Sequence, residues 1–162
     1  MFAMTFGQSS LSIFWLKKLG EEPMVNRRET VKKLPHITSS LNGEEDFKPL
    51  AVWLILNGKT ESALELLAKI YCVSVPNLRV GLPKKHKTKA YGTYTAKYQT
   101  ISVLNSDVLV NPFVVIHEFY HHLRSKGVDR MHRGTEGNAD KFAIDFLVAF
   151  QLTSFKTKGY IQ

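Results

Sequence analysis

An intramolecular disulfide is closed to this chain, because Cys72 is its only cysteine among 162 residues. A chain that does without disulfides fits a reducing compartment such as the cytoplasm. Long apolar runs are missing too. The longest, Leu11–Leu16 and Leu50–Leu56, fall well short of the roughly 20 residues a membrane-spanning helix needs. The amino terminus has no early basic region, and Gly7-Gln8-Ser9-Ser10 interrupts its apolar residues, so it does not read as a secretory signal. A cytoplasmic location with no membrane partner is expected. Acidic residues are scarce, 14 against 22 Lys and Arg, which leaves a net charge of +8. Internal repeats and low-complexity tracts are absent.

What is present is ordinary for one globular domain: 44% hydrophobic and 22% charged residues. Residues 1–43 read as an arm, docked as a latency segment or disordered. Ser10–Leu19 has a short amphipathic pattern, and the polar stretch from Glu21 to Gly43, with Pro23 and Pro35, reads as a linker. Met24 is an alternative start. Residues 44–153 form the domain and 154–162 a tail. Within the domain, one helix carries Trp53, Leu54 and Leu56 and stops at Asn57-Gly58. Thr60 is expected to cap a second, with Ala63, Leu66, Leu67 and Ile70 as its buried stripe. Cys72, near its end, is expected to be a small core residue.

The period then changes. Leu78, Val80 and Leu82 alternate as in a strand, and Ala90–Thr95 and Tyr98–Leu104 read as two more. Much of the positive charge lies in Arg27–Lys33 and Lys84–Lys89. Such clusters suit solvated loops or an acidic partner such as nucleic acid, and no recognition-helix or zinc-finger signature accompanies them.

The chemistry-bearing stretch is His117-Glu118-Phe119-Tyr120-His121. Asn111-Pro112 reads as an N-cap followed by proline at the first helical position. Phe113, Ile116, Tyr120 and Leu123 follow at core-facing helical spacing, and Gly127 stands where a helix of about four turns would end. Residues four apart share a face, so His117 and His121 can reach one metal ion, with Glu118 one step round and placed to take a proton from an activated water. A second helix, Thr135–Leu152, puts Glu136, Asp140, Ala143 and Leu147 on one stripe. Two antiparallel helices would bring that stripe against the histidines, so Glu136 is the preferred third ligand. His132 is its main rival, with Asp129 and Asp140 behind. Three protein ligands and an open fourth position are what catalytic zinc requires. His122 lies off the motif face and is expected at the surface or satisfied locally.

The H-E-x-x-H motif with Glu136-x-x-x-Asp140 resembles the gluzincin pattern of zinc metallopeptidases, and the short chain resembles the minigluzincins. Glu136-Gly-Asn-Ala-Asp140-Lys-Phe142-Ala143 is also similar to a stretch of the ImmA/IrrE-type metallopeptidases. The similarity covers about residues 90–150. It differs in having only fourteen residues between His121 and Glu136, and in Asn138 where the ImmA/IrrE pattern often has a second Glu. The resemblance implies one Zn2+ held by His117, His121 and Glu136, with Glu118 as general base and Asp140 hydrogen-bonded to His117. It implies hydrolysis of peptide bonds in a peptide or protein substrate, with His132, Tyr94 or Arg133 stabilising the oxyanion. It also implies an edge strand above the metal that pairs with extended substrate. Gly92–Thr95 is the candidate, because Gly92 lets another backbone approach. The expected fold is α+β, a small and mainly antiparallel sheet packed on the H-E-x-x-H helix, with further helices on either side in sequence. Two alternatives stay open: a regulatory zinc module without catalysis, and a SprT-like protease acting on nucleic-acid-bound proteins.

Overall fold

Pro112 to Leu123 is an unbroken buried stretch, and it lies on the helix that carries the H-E-x-x-H motif. A helix buried on every side must be covered on every side, and the remaining elements supply that cover. The computed structural model describes residues 2–3, 47–83, 90–129 and 135–158, with side chains as far as residue 153. They belong to one unit, Met1–Phe6 with Phe47–Gln162. Apart from Phe2–Ala3, the expected arm lies outside the described residues, as do the basic clusters and residues 130–134, which include His132 and Arg133.

The architecture is α+β. In chain order it comprises strand β1 (Phe2–Ala3), helices α1 (Phe47–Leu56) and α2 (Thr60–Ile70), strands β2 (Asn77–Val80), β3 (Gly92–Thr95) and β4 (Thr100–Val103), and helices α3 (Ser106–Leu109), α4 (Pro112–Ser125) and α5 (Thr135–Lys158). The sheet order is β1-β3-β4-β2. β3 pairs antiparallel with β4, Tyr94 opposite Ile101, and with β1, Phe2 opposite Tyr94. β2 runs parallel to β4, Leu78 opposite Ile101. Alternation of apolar residues fixes which face a side chain takes, not the direction of the neighbouring strand, so the parallel pair was not visible in the pattern.

The sheet lays Tyr94, Ile101 and Val103 on one side of α4, and α1 and α5 cover the other. Aromatic rings join the helices: Phe142 packs tilted against Tyr120 at 5.3 Å, and Phe146 meets Phe47 edge to face at 5.7 Å. Ala139 and Ala143 of α5 are fully buried, and their small side chains let α5 run close to α4. No helix among the described residues is long and apolar enough to cross a membrane.

Several local expectations need correction. Lys59, not Thr60, stands at the N-cap of α2, and the Thr60 hydroxyl donates instead to the Leu109 carbonyl at 2.8 Å. The buried face of α2 is Ala63, Leu64, Leu67 and Ala68, and Ile70 is exposed. Cys72 is exposed in a left-handed turn at φ 53° rather than in the core. It follows the last helical turn, where the chain must reverse, and that reversal turns its side chain outward.

Candidate metal centre

The site begins with a well-capped helix. The Asn111 side chain accepts from Val114 N–H, Pro112 occupies the first turn, and Gly127 takes φ 78° just past the end. Between these stops the helix holds His117 and His121 one turn apart, both about 1% exposed. Their Nε2 atoms stand 3.2 Å from each other. From α5, Glu136 reaches the same point, Oε2 at 3.3 Å from His117 Nε2 and Oε1 at 3.4 Å from His121 Nε2. Among the described residues these three form the cluster able to hold a metal. Asp140, one turn further along α5, accepts from His117 Nδ1 at 3.0 Å.

The spacing tests whether a metal fits. Ligand atoms about 2.0–2.1 Å from a tetrahedral ion stand about 3.3 Å from one another; the two histidine nitrogens are 3.2 Å apart, one Glu136 oxygen is 3.3 Å from His117 Nε2 and the other 3.4 Å from His121 Nε2. The donor chemistry agrees. With Nδ1–H given to Asp140, His117 turns the Nε2 lone pair toward the other two donors. Two imidazole nitrogens and a carboxylate meeting this closely offer one cation three ligands at once. The residues present therefore fit a bound metal ion.

The electrostatics report the same crowding. Burial by itself lowers the His117 pKa, but the hydrogen bonds to Asp140 and Glu136 outweigh it and raise the group to about 9. His121 is lowered, first by burial and then by the charge on His117. The metal ligands are not uniformly buried: the Glu136 side chain is 46% exposed, so the cluster opens to solvent on that side and leaves room for a further ligand.

Glu118 is wholly buried; the Tyr94 backbone N–H lies close enough to stabilise its carboxylate, but neither oxygen makes a well-formed hydrogen bond. Burial, the first cause, and the nearby charge of Glu136 push its pKa up to about 8, against the lowering effects of His117 and of the Tyr94 backbone. An unpartnered buried carboxyl is costly, by about 1–3 kcal/mol or more. A fold retains such a group where something outside the protein completes its bonding.

Tyr94 is not at the cluster. Its ring is in the core, and its hydroxyl lies 2.9 Å from His122 Nδ1 and 2.8 Å from Ser125 Oγ. The expectation of a substrate or transition-state contact from this side chain is thus replaced by a packing role. His122 is fully buried rather than exposed. Its Nε2 donates to the Ser74 carbonyl at 2.7 Å, which leaves Nδ1 to accept from Tyr94. Asp129 does not join the metal cluster either; it accepts from the Tyr120 hydroxyl at 2.5 Å. The tie between Tyr94 and His122 was missed in the sequence, where a second His after H-E-x-x-H is indistinguishable from a surface residue.

Comparison of the chain with protein-family models, curated proteins and solved structures finds no match in any of the three.

Proposed function

We propose that this protein is a zinc-dependent metallopeptidase that hydrolyses peptide bonds with Glu118 as general base. The observation that carries the reading is a pair of features side by side. Two imidazoles and a carboxylate converge closely enough to hold one metal ion, and the residue next to His117 is a buried carboxyl with no well-formed hydrogen bond. A metal module without catalysis needs the first feature and has no use for the second.

When bound, the zinc ion supplies Lewis acidity that polarises a carbonyl and acidifies water. The chain's own residues do the rest. His117, His121 and Glu136 hold the metal, and Asp140 fixes the ring of His117. Glu118 removes the proton from the attacking water and returns it to the departing amine, a role favoured by its raised pKa. Burial of Glu118 and both histidines excludes bulk water from the base. β3 passes over Glu118 at Gly92, and its outer edge, expected to be free, is paired with β1, so an extended substrate joins β3 only in place of β1.

The test is metal content and casein or peptide cleavage measured on one sample. Wild type is expected to bind one zinc and cleave. Glu118→Gln is expected to keep the zinc and lose cleavage by about 10²–10⁴-fold, and His121→Ala to lose both. Full activity in Glu118→Gln would refute the base, and unchanged zinc stoichiometry in His121→Ala would remove the site. Zinc without cleavage in wild type would leave a regulatory metal module as the better reading.

A further inference from the structure

The geometry points to Gly92 as a positioning residue for the Glu118 carboxylate, acting through the side chain it lacks; this rests on the reading of Glu118 as the base. A methyl group on Gly92 would stand 2.7 Å from Val114 Cγ1, 2.9 Å from Glu118 Cγ and 3.0 Å from Glu118 Oε1. Carbon atoms in contact prefer about 3.5–4.0 Å, so no Cβ fits without displacement. Gly92 is not among the residues with positive φ. What the position demands is therefore space rather than left-handed backbone.

Three partners meet at this point, and only one of them is free to yield. β3 is held from both flanks, by pairing of Gly92 with Val103 on β4 and of Thr93 with Ala3 on β1. Two residues on, the Tyr94 hydroxyl ties the strand to His122 on α4. Val114 is β-branched on a helix, which restricts it to one strongly preferred rotamer, and it is buried. Glu118 alone has rotatable length, and no well-formed hydrogen bond holds its carboxylate. Its position is set by shape: β3 forms the roof, and the missing Cβ is the recess in that roof. A Cβ there drives the Glu118 side chain aside and leaves the histidines, which are not among the atoms nearest to it, where they are.

Gly92→Ala separates this from a merely structural role. Misplacing a catalytic group by about 1 Å costs on the order of 10²-fold, so kcat for a fluorogenic peptide is expected to fall about a hundredfold. KM and zinc stoichiometry are expected to stay as in wild type. In a Glu118→Gln background the same substitution is expected to cost nothing further, since the group it acts through is already lost. A crystal structure of metal-free Gly92→Ala is expected to show the Glu118 carboxylate displaced and His117 and His121 in place. If Gly92→Ala folds poorly, Gly92→Ala/Val114→Ala removes the 2.7 Å contact, keeps the 2.9 Å one, and is expected to give the same pattern. Wild-type kcat in Gly92→Ala, an additive loss in the Glu118→Gln background, or an unmoved Glu118 would each overturn the proposal. A wild-type protein that cleaves no peptide would instead count against the peptidase reading, and the displacement of Glu118 would still decide the role of Gly92.

Discussion

The bond from His117 Nδ1 to Asp140 decides which nitrogen of that ring faces His121 and Glu136. At 3.0 Å, with Asp140 only 30% exposed, it fixes the ring plane and adds to the basicity of Nε2. Asp140→Ala is therefore expected to weaken zinc binding by about 10–100-fold, read by competition with a chromophoric chelator, whereas Asp140→Asn keeps an acceptor oxygen and is expected to lose less. Unchanged affinity in the alanine variant would mean that packing alone holds the ring. His117, His121, Glu136 and Asp140 were all legible in the sequence because each pair is spaced i,i+4 on a single helix, where spacing translates directly into a shared face. Tyr94 and His122 were not. Their partnership joins residues 28 apart in sequence, and nothing local to either distinguishes it. Cys72 misled for the opposite reason, since its apolar neighbours imply burial but the chain reversal at φ 53° turns it out.

Among the elements, β3 has the most to do. One face rests on α4 over Glu118, one edge pairs with β4, and the other edge pairs with Phe2–Ala3. That last edge was expected to stand free for substrate. A strand already paired offers no free backbone groups to a second one, so β1 and an extended substrate compete for the same row of hydrogen bonds. Deleting residues 1–6 behind a new start methionine is expected to lower KM for peptide several-fold at unchanged kcat, because a tethered competitor raises apparent KM in proportion to its own occupancy. An unchanged KM would show that β1 does not obstruct substrate. The helices α1, α4 and α5 were readable from capping residues and 3.6-residue periodicity, and β2 to β4 from alternation. The two-residue β1 was not, because so short a segment has no period. Nor was the parallel pairing of β2, because direction leaves no mark on alternation.

For the molecule as a whole, the metal cluster is also a clasp. His117 and His121 belong to α4 and Glu136 to the start of α5, and the segment between these helices includes the residues that lie outside the described structure. Below the site the two helices are joined by the packing of Phe142 on Tyr120 and by Ala143, Phe146 and Leu147 in the core. At the site itself, among the described residues, two imidazoles from α4 meet two carboxylates from α5. A metal there binds the folded chain and not the unfolded one, in which the three ligands are scattered, so its binding energy adds to stability. At a hundredfold excess over Kd the gain is about 2.7 kcal/mol, which for a domain of this size raises Tm by about 5–10 °C. Scanning the wild type with zinc and again after chelation is expected to show that shift and its reversal. Glu136→Ala, which removes the one ligand supplied by α5, is expected to lose most of the shift while folding normally without metal, since its side chain is 46% exposed. A zinc-dependent Tm that survives Glu136→Ala would mean that the histidines bind metal without drawing on α5, and that the clasp closes elsewhere.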